Sequence, residues 1–502
     1  MTWTRRLTAA LALALLAAGP ARAETVLRIG LNDDPDALDP TISRAYTGRL
    51  VFAAFCDKLF DVTPDLKIVP ALASSYEWGK DNRSLTIKLR PGLKFHDGEP
   101  LNAEAVKFNI ERHLTTPGSF RKTEIGEISG VDVVNDLTVR LNLSEPLIPL
   151  LAALTDRAGM MISPKAAREL GDKFGTRPVC AGPFKFVSRV AQGKIVGERF
   201  ADYWDKGNVH LDRVEFVPII DSTARLASLR SGDLHMIERV SPTDLPQVRG
   251  DAKLKVASVP ELGYQVIPLN LNNGPRGKVL GADPRLRQAI DLAIDRETVM
   301  KTVFAGEYIA GNQLVSPASF FYNAKVPVRK RDIARAKQLL REAGQPALAF
   351  TLIVPPERDR QEAALVLQSM LAEAGITMTI QTQENVTMLT AGRKGDFEAY
   401  FTFWSGRPDP DGNFYSFNVC NGAQNDGKYC NPEVDALLGK ARHVADPKER
   451  KKSYDQVTEI LARDVPRILL WHRRVFTGYS GRVQGFTPYP DGIIRLKGLK
   501  LS

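Results

Sequence analysis

A chain of 502 residues with 43% hydrophobic and 25% charged residues does not have the composition of a disordered, collagen-like or membrane-bundle protein. It also exceeds the roughly 250–300 residues at which one hydrophobic core stops growing, so two or three lobes are expected. The formal net charge of +10 raises the question of a nucleic-acid partner, because Lys/Arg clusters release counterions from phosphates.

In chain order, Arg5 and Arg6 precede an uncharged run over residues 7–18, and Ala21-Arg22-Ala23 places small residues before Glu24. This is the pattern of a secretory signal peptide cut after Ala23. The run is shorter than the roughly 20 apolar residues of a spanning helix. Glu24, not a cysteine, stands directly after the cut, so no lipid anchor is expected. Thr8 and Ala9 stand where a twin-arginine signal carries large apolar residues, which favours general secretion. Removing residues 1–23 takes away Arg5, Arg6 and Arg22 and no acid. The mature chain is expected outside the cytoplasmic membrane.

Residues 27–31 alternate as a half-buried strand and break at Asn32-Asp33-Asp34-Pro35-Asp36. Residues 84–89 alternate again before the turn Pro91-Gly92. Asn102 is a helix N-cap for a stretch ending near His113. Residues 131–134 and 137–143 read as a hairpin about Asn135-Asp136. Residues 62–190 thus form a small α+β unit. Further on, a helix over 334–343 stops at Gly344, a strand covers 349–354, a helix over 361–374 stops at Gly375, and a strand covers 376–381. This βαβ unit calls for a parallel sheet flanked by helices. A strand over 397–403 runs into the loop 404–413, beyond a strand's carboxyl end, where open α/β sheets bind ligands.

An exported chain can keep disulfides. Cys420 and Cys430 flank a segment rich in Asn and Gly, which suits a loop-closing bridge, and they lack the Cys-x2-Cys spacing and nearby His of a zinc site. Cys56 and Cys180 pair by elimination, since spacing alone gives no connectivity. Enzyme signatures are missing. There is no Gly-x-Ser-x-Gly, and no two of the six histidines lie within five residues, so no His-Glu-x-x-His exists. Residues 422–428 spell Gly-x4-Gly-Lys, but Tyr429 stands where Ser or Thr must ligate magnesium. The basic clusters Arg329-Lys330-Arg331 and 448–452 have acids beside them and no aromatic ladder, so they read as solvated faces, not nucleic-acid sites. No metal ion or cofactor is nominated.

The order of motifs is recognisable. Val69-Pro70-Ala71-Leu72-Ala73, the stretch 85–101 containing Lys94-Phe95-His96-Asp97-Gly98, and Ala105-Val106-Lys107-Phe108 come first. Ala181-Gly182-Pro183-Phe184, Asn270-Leu271-Asn272, the block 283–290, Ala293-Ile294-Asp295-Arg296 and the segment 415–432 follow. Together they closely resemble the bacterial family 5 extracellular solute-binding proteins, which include the dipeptide-, oligopeptide- and nickel-binding proteins of ABC importers. The resemblance covers essentially the whole mature chain. It implies an α/β (mixed α+β) fold of the type II periplasmic binding protein kind, with two main lobes, a hinge and an inserted lobe. Lobe I is expected over 24–61, 191–272 and 486–502, lobe II over 62–190, and lobe III over 273–485. A short peptide or peptide-like solute would be enclosed between lobes I and III and delivered to an ABC permease, with no reaction performed.

In peptide-binding members a carboxylate three residues after a tryptophan holds the ligand's α-ammonium. Here Arg407 occupies that position after Trp404, and the next acids are Asp409 and Asp411. Arg407 is therefore expected either to grip an anionic ligand group or to brace the loop against one of those acids. Asp409 or Asp411 would take an amine. Trp404 is a flat wall or simple core. Tyr264, Asn270 and Asn272 either hydrogen-bond main-chain-like groups or serve the fold. His96 and Asp97 are read as turn-building residues, and Arg285, Arg287 and Asp295 as fixing a helix at the lobe junction. Two other readings are a secreted hydrolase using Asp409 or Asp411, and a nickel or metal-chelate binder of the same family.

Overall fold

The computed structural model describes residues 24–502; the expected signal peptide, residues 1–23, lies outside them. The first unit is organised by Val26–Leu31, whose Leu27, Ile29 and Leu31 are at most 1% exposed. This strand pairs in parallel with Arg213–Pro218 and with Met236–Ile237. It lies near the middle of a seven-stranded sheet ordered Leu254–Pro260, Arg474–Ser480, Met236–Ile237, Val26–Leu31, Arg213–Pro218, Ile195–Arg199, Phe184–Arg189. Two of these strands come from segments expected in other lobes. Phe184–Arg189 pairs with Ile195–Arg199, and Arg474–Ser480 pairs with Leu254–Pro260. Ladder partners, not chain position, decide which core a strand covers.

The second unit is the local α+β insert. Its antiparallel sheet is ordered Ala73–Trp78, Ser84–Leu89, Thr138–Leu143, Ile128–Asn135. Leu85, Ile87, Val139 and Leu141 are fully buried against Val106 and Ile110 of the helix Ala103–Thr115. That helix starts where it does because the Asn102 side chain accepts a 3.1 Å bond from the Ala105 N–H. His96 and Asp97 serve the fold. His96 lies 3.0 Å from the Gly182 carbonyl and accepts from the Cys180 N–H at 3.3 Å, while Asp97 accepts from Ser163. Burial brings the His96 pKa down to about 4, so the ring is neutral. The Cys56–Cys180 bridge ties this corner to the helix Tyr46–Phe55 of the first unit.

The third unit holds the expected βαβ motif. Ala349–Val354 pairs in parallel with Thr377–Thr382, and the helix Arg358–Glu373 connects them. The strand expected over 397–403 is split. Ala399–Tyr400 stays in the parallel sheet, whereas Thr402–Trp404 joins an antiparallel sheet beside Tyr264–Pro268. Phe401, fully buried, marks the switch, its N–H bonding the Ile353 carbonyl. Arg287 donates to the carbonyls of Leu280, Asp464 and Val465, and Asp295 caps the helix Arg296–Phe304, so both fix helices inside the third unit and not at its junction with the first. Arg285 pairs locally with Asp283.

Two adjacent strand crossings join the first and third units. Leu254–Pro260 continues through Glu261, Leu262 and Gly263 into Tyr264–Pro268, and Arg467–His472 continues through Arg473 into Arg474–Ser480. Arg473 grips Glu261 with two 2.8 Å bonds, and His472 Nδ1 lies 2.9 Å from the Gly263 carbonyl. Position 263 must be glycine, because a Cβ there would stand 1.7 Å from the Trp404 carbonyl oxygen.

Candidate functional site

The first unit, the insert and the third unit meet around a cleft of about 800 Å³, part of it open to solvent. Arg44, Tyr46 and Arg49 line it from the first unit, and Arg157 lines it from the insert. The third unit contributes the edge strand Thr402–Trp404, the neighbouring Tyr264, and the loop of Gln424, Asn425 and Asp426. That loop is closed by the Cys420–Cys430 bridge. Tyr264 and Trp404 face each other in register across their two strands. Both serve as wall and core: Tyr264 is 1% exposed, and the Trp404 ring lies 4.8 Å from that of Phe417.

Charge is distributed unevenly. At one end Arg44 donates to Asp426 at 2.7 Å, and the Tyr400 hydroxyl donates to the same oxygen at 2.6 Å, a balanced contact across the cleft. Behind Arg49 and Arg157, outside the residues that line the cleft, Asp156 is shared. Arg407 Nε stands 2.7 Å from it, Arg49 Nε 3.1 Å and Arg157 Nε 3.9 Å. Arg121 lies nearby and pairs with Glu124 at 2.8 Å. Four buried guanidinium groups thus face two carboxylates. Asp491, also within range of Arg49, is engaged by Arg495. Burial alone would raise the Asp156 carboxyl, but Arg407, Arg49 and Arg157 hold it well below the ordinary carboxylate range. Burial, with repulsion from Arg49 and Arg157, brings Arg407 down to about 9 even though Asp156 opposes the shift.

Arg407 is aimed rather than mobile. Its Cζ lies 4.3 Å from the Trp404 ring centroid, and its backbone N–H donates to Asn413 Oδ1 at 2.9 Å. The Trp404 indole N–H donates to that same oxygen at 2.9 Å. Among the described residues Arg407 Nη2 and Arg157 Nε have no hydrogen-bond partner. Arg407 pairs with neither Asp409 nor Asp411. Arg450 holds Asp409 with bonds of 2.8 and 2.7 Å, and Arg442 stands 3.1 Å from Asp411. All three loop residues line a side pocket next to Trp404, but the two acids already have cations. Burial pushes Asp411 up to about 6, against the pull of Arg442.

The asparagines of the crossover lie behind the wall. Asn270 is fully buried, donates to the carbonyls of Asn273 and Phe397 at 2.9 and 2.8 Å, and accepts from the Asn273 N–H. Asn272 is exposed, and its backbone N–H bonds the Gly427 carbonyl. Both brace the Asp426 loop from outside the cleft. Sequence reasoning missed Arg44, Arg49, Asp156, Arg157 and Asp426. Arg49 carried a signal, because it interrupts the otherwise apolar helix Tyr46–Phe55, and a buried cation requires a partner.

The family model described as bacterial extracellular solute-binding proteins, family 5 Middle, matches residues 67–425. The glutathione-binding protein GsiB of Pectobacterium atrosepticum is 29% identical over 100% of this chain and 99% of its own length. GsiB of Salmonella typhi is 28% identical over 97% of each. Among solved structures, the periplasmic binding protein AgaA of A. tumefaciens R10, in complex with agropinic acid, superposes with a TM-score of 0.88. It shares 26% identity over 95% of this chain and 99% of that one. The ABC transporter-associated periplasmic protein DppA of Helicobacter pylori, in complex with the peptide STSA, gives 0.88 at 25% identity over 95% and 98%.

Proposed function

The chain belongs to the bacterial extracellular solute-binding proteins of family 5, and from that premise we propose that it is the periplasmic receptor of an ABC importer for a peptide-like carboxylate. The carrying observation is the surplus of buried arginine around Asp156: Arg49, Arg121, Arg157 and Arg407 face two acids, with Arg49 and Arg157 lining the cleft and Arg407 lining the side pocket beside it. A buried cation without a counter-ion is costly, and a ligand carboxylate arriving at Arg407 Nη2 and Arg157 Nε removes that cost. Glutathione, named for the relatives, is a peptide with two carboxylates, and so meets the charge requirement.

Capture is a population shift toward the closed form, driven by contacts that only the closed form makes. Arg44 to Asp426, Arg49 to the Ser405 hydroxyl at 2.8 Å, and Ser241 to Asp359 at 2.8 Å bridge the first and third units. The two crossings at Glu261–Gly263 and Arg473 act as the hinge, residues 1–23 serve export, and the mature chain works as a monomer that presents both lobes to the permease. The hydrolase reading loses its candidates, since Asp409 and Asp411 are held by Arg450 and Arg442.

The test is thermal unfolding of the mature chain against a panel of peptides and opine-like carboxylates, each paired with its ester or amide. A ligand at ~100 times its dissociation constant adds roughly 2.7 kcal/mol. Acids that raise the melting temperature while their esters do not support the reading. A panel in which blocking the carboxylate changes nothing contradicts it.

A further inference from the structure

Inside the third unit, behind the cleft wall, lies another cavity of about 500 Å³ including its open part. The helix Pro447–Asp464, the strand Arg467–His472 and the first residue of the helix Arg296–Phe304 contribute to its wall. Pro466 and Arg467 are the partition, since they line both this cavity and the cleft. Much of the wall is apolar, formed by Leu314, Phe414, Leu461, Val465 and Leu469.

Charge is lopsided here too. Arg296, Arg329 and Arg467 line the cavity against a single acid, Asp291. Asp291 is already taken twice: one oxygen accepts from Arg296 Nη2, and the other stands 3.1 Å from Arg329 Nη1. Arg296 is 2% exposed and donates from Nε to the Leu469 carbonyl at 2.8 Å, but among the described residues its Nη1 has no acceptor. Arg467 donates from Nη2 to the Phe417 carbonyl, and its Nε has no acceptor among them either. The acid whose charge Arg467 feels, Asp426, is held by Arg44 at 2.7 Å. Burial pulls Arg467 below the ordinary arginine range, as desolvation does to a cation short of counter-ions. One acceptor is open as well. Asn312 Oδ1 has no donor, while its Nδ2 bonds the carbonyls of Val326 and Pro327 at 3.3 and 2.7 Å. The Arg329 side chain, 29% exposed, connects the cavity to solvent.

Buried polar groups are nearly always partnered in native proteins. An inorganic anion would meet the two guanidinium groups but leave the leucines without contact. A neutral apolar molecule would leave both arginines unmatched. We propose that this cavity is a second binding site, for a short-chain aliphatic hydroxy acid. Its carboxylate would sit on Arg296 Nη1 and Arg467 Nε, its hydroxyl would donate to Asn312 Oδ1, and its carbon chain would pack on Leu314, Leu461 and Leu469. Guanidinium groups give a carboxylate charge-assisted bonds, and apolar walls with a few convergent polar groups are the pattern of small-molecule sites. The site is separate from the anchor in the cleft, because Arg49, Arg157 and Arg407 do not line it.

The test is saturation-transfer NMR of the mature chain with 3-hydroxybutyrate, its amide and inorganic phosphate. The acid should bind saturably, and the amide and phosphate about tenfold more weakly or worse. Ala462→Leu fills the cavity from the helix Pro447–Asp464. It should weaken 3-hydroxybutyrate at least tenfold and leave the affinity of a cleft acid from the thermal panel within twofold. Thr458→Leu, one turn earlier on the same helix face, should do the same and replaces Ala462→Leu where that variant does not fold. Arg407→Gln should leave 3-hydroxybutyrate within twofold. No binding of 3-hydroxybutyrate, an amide or phosphate that binds as well, or an affinity unmoved by the filling variants overturns the proposal. A 3-hydroxybutyrate affinity that falls with Arg407→Gln places the acid in the cleft and overturns it too.

Discussion

Two groups of buried charge lie within one loop of each other and behave oppositely. Around Asp409 and Asp411 every acid has its own arginine, Arg450 in a two-bond grip and Arg442 at 3.1 Å. Around Asp156, one acid is shared among Arg407, Arg49 and Arg157. Matched buried pairs hold a fold together without needing anything else. An unmatched excess is stable only while its repulsion is tolerated, and a ligand is what can relieve it. Residue type does not separate the two groups, since both are Asp/Arg sets on the same surface; the ratio does.

The matched side breaks most visibly. Arg450→Met leaves Asp409 buried without a cation, and removing one partner of a buried pair costs about 3–5 kcal/mol. Urea unfolding of the variant should show that loss, and a change under about 1 kcal/mol would mean the pair is not structural. Next in size is the titration of Asp411. Its folded pKa, about 6, lies above the ordinary carboxyl value. The folded state therefore binds the extra proton between roughly pH 4 and 6. This stabilising contribution is full below about pH 4 and lost as pH rises through 6, on the order of 3 kcal/mol. Asp411→Asn should remove that slope when stability at pH 4.5 and 7.5 is compared with the parent. Smaller again is the Cys420–Cys430 bridge, which holds Gln424 and Asp426 in the cleft wall. Replacing both cysteines with serine should cost a few tenfold in ligand affinity at most, read by calorimetry, since Asn270 and Asn273 still brace the loop.

The insert was legible because its determinants are local. The strand Ser84–Leu89 matches its alternation, and the Asn102 cap sets the helix start. The strand through 397–403 was half legible: its apolar run is real, but the switch of sheets at Phe401 depends on partners at Ile353 and Val266 that no periodicity encodes. The cleft was the least legible. Arg44 meets Asp426 across 382 positions and Arg49 meets Asp156 across 107, so the ratio that defines the site exists only after three units converge. Trp404 and Arg407 were visible because they follow a strand end. Asn270 and Asn272 were equally visible but brace the wall from behind.

The most direct test is Arg407→Gln, measured twice on one preparation: apo stability by urea unfolding, and affinity for a carboxylate ligand taken from the thermal panel. Removing one cation of an excess should leave the apo protein as stable as the parent or more so, while affinity falls about tenfold or more through the lost charged hydrogen bond. An apo protein destabilised by several kcal/mol with affinity unchanged would show that Arg407 is a structural partner of Asp156 and that the cleft holds no surplus charge for a ligand.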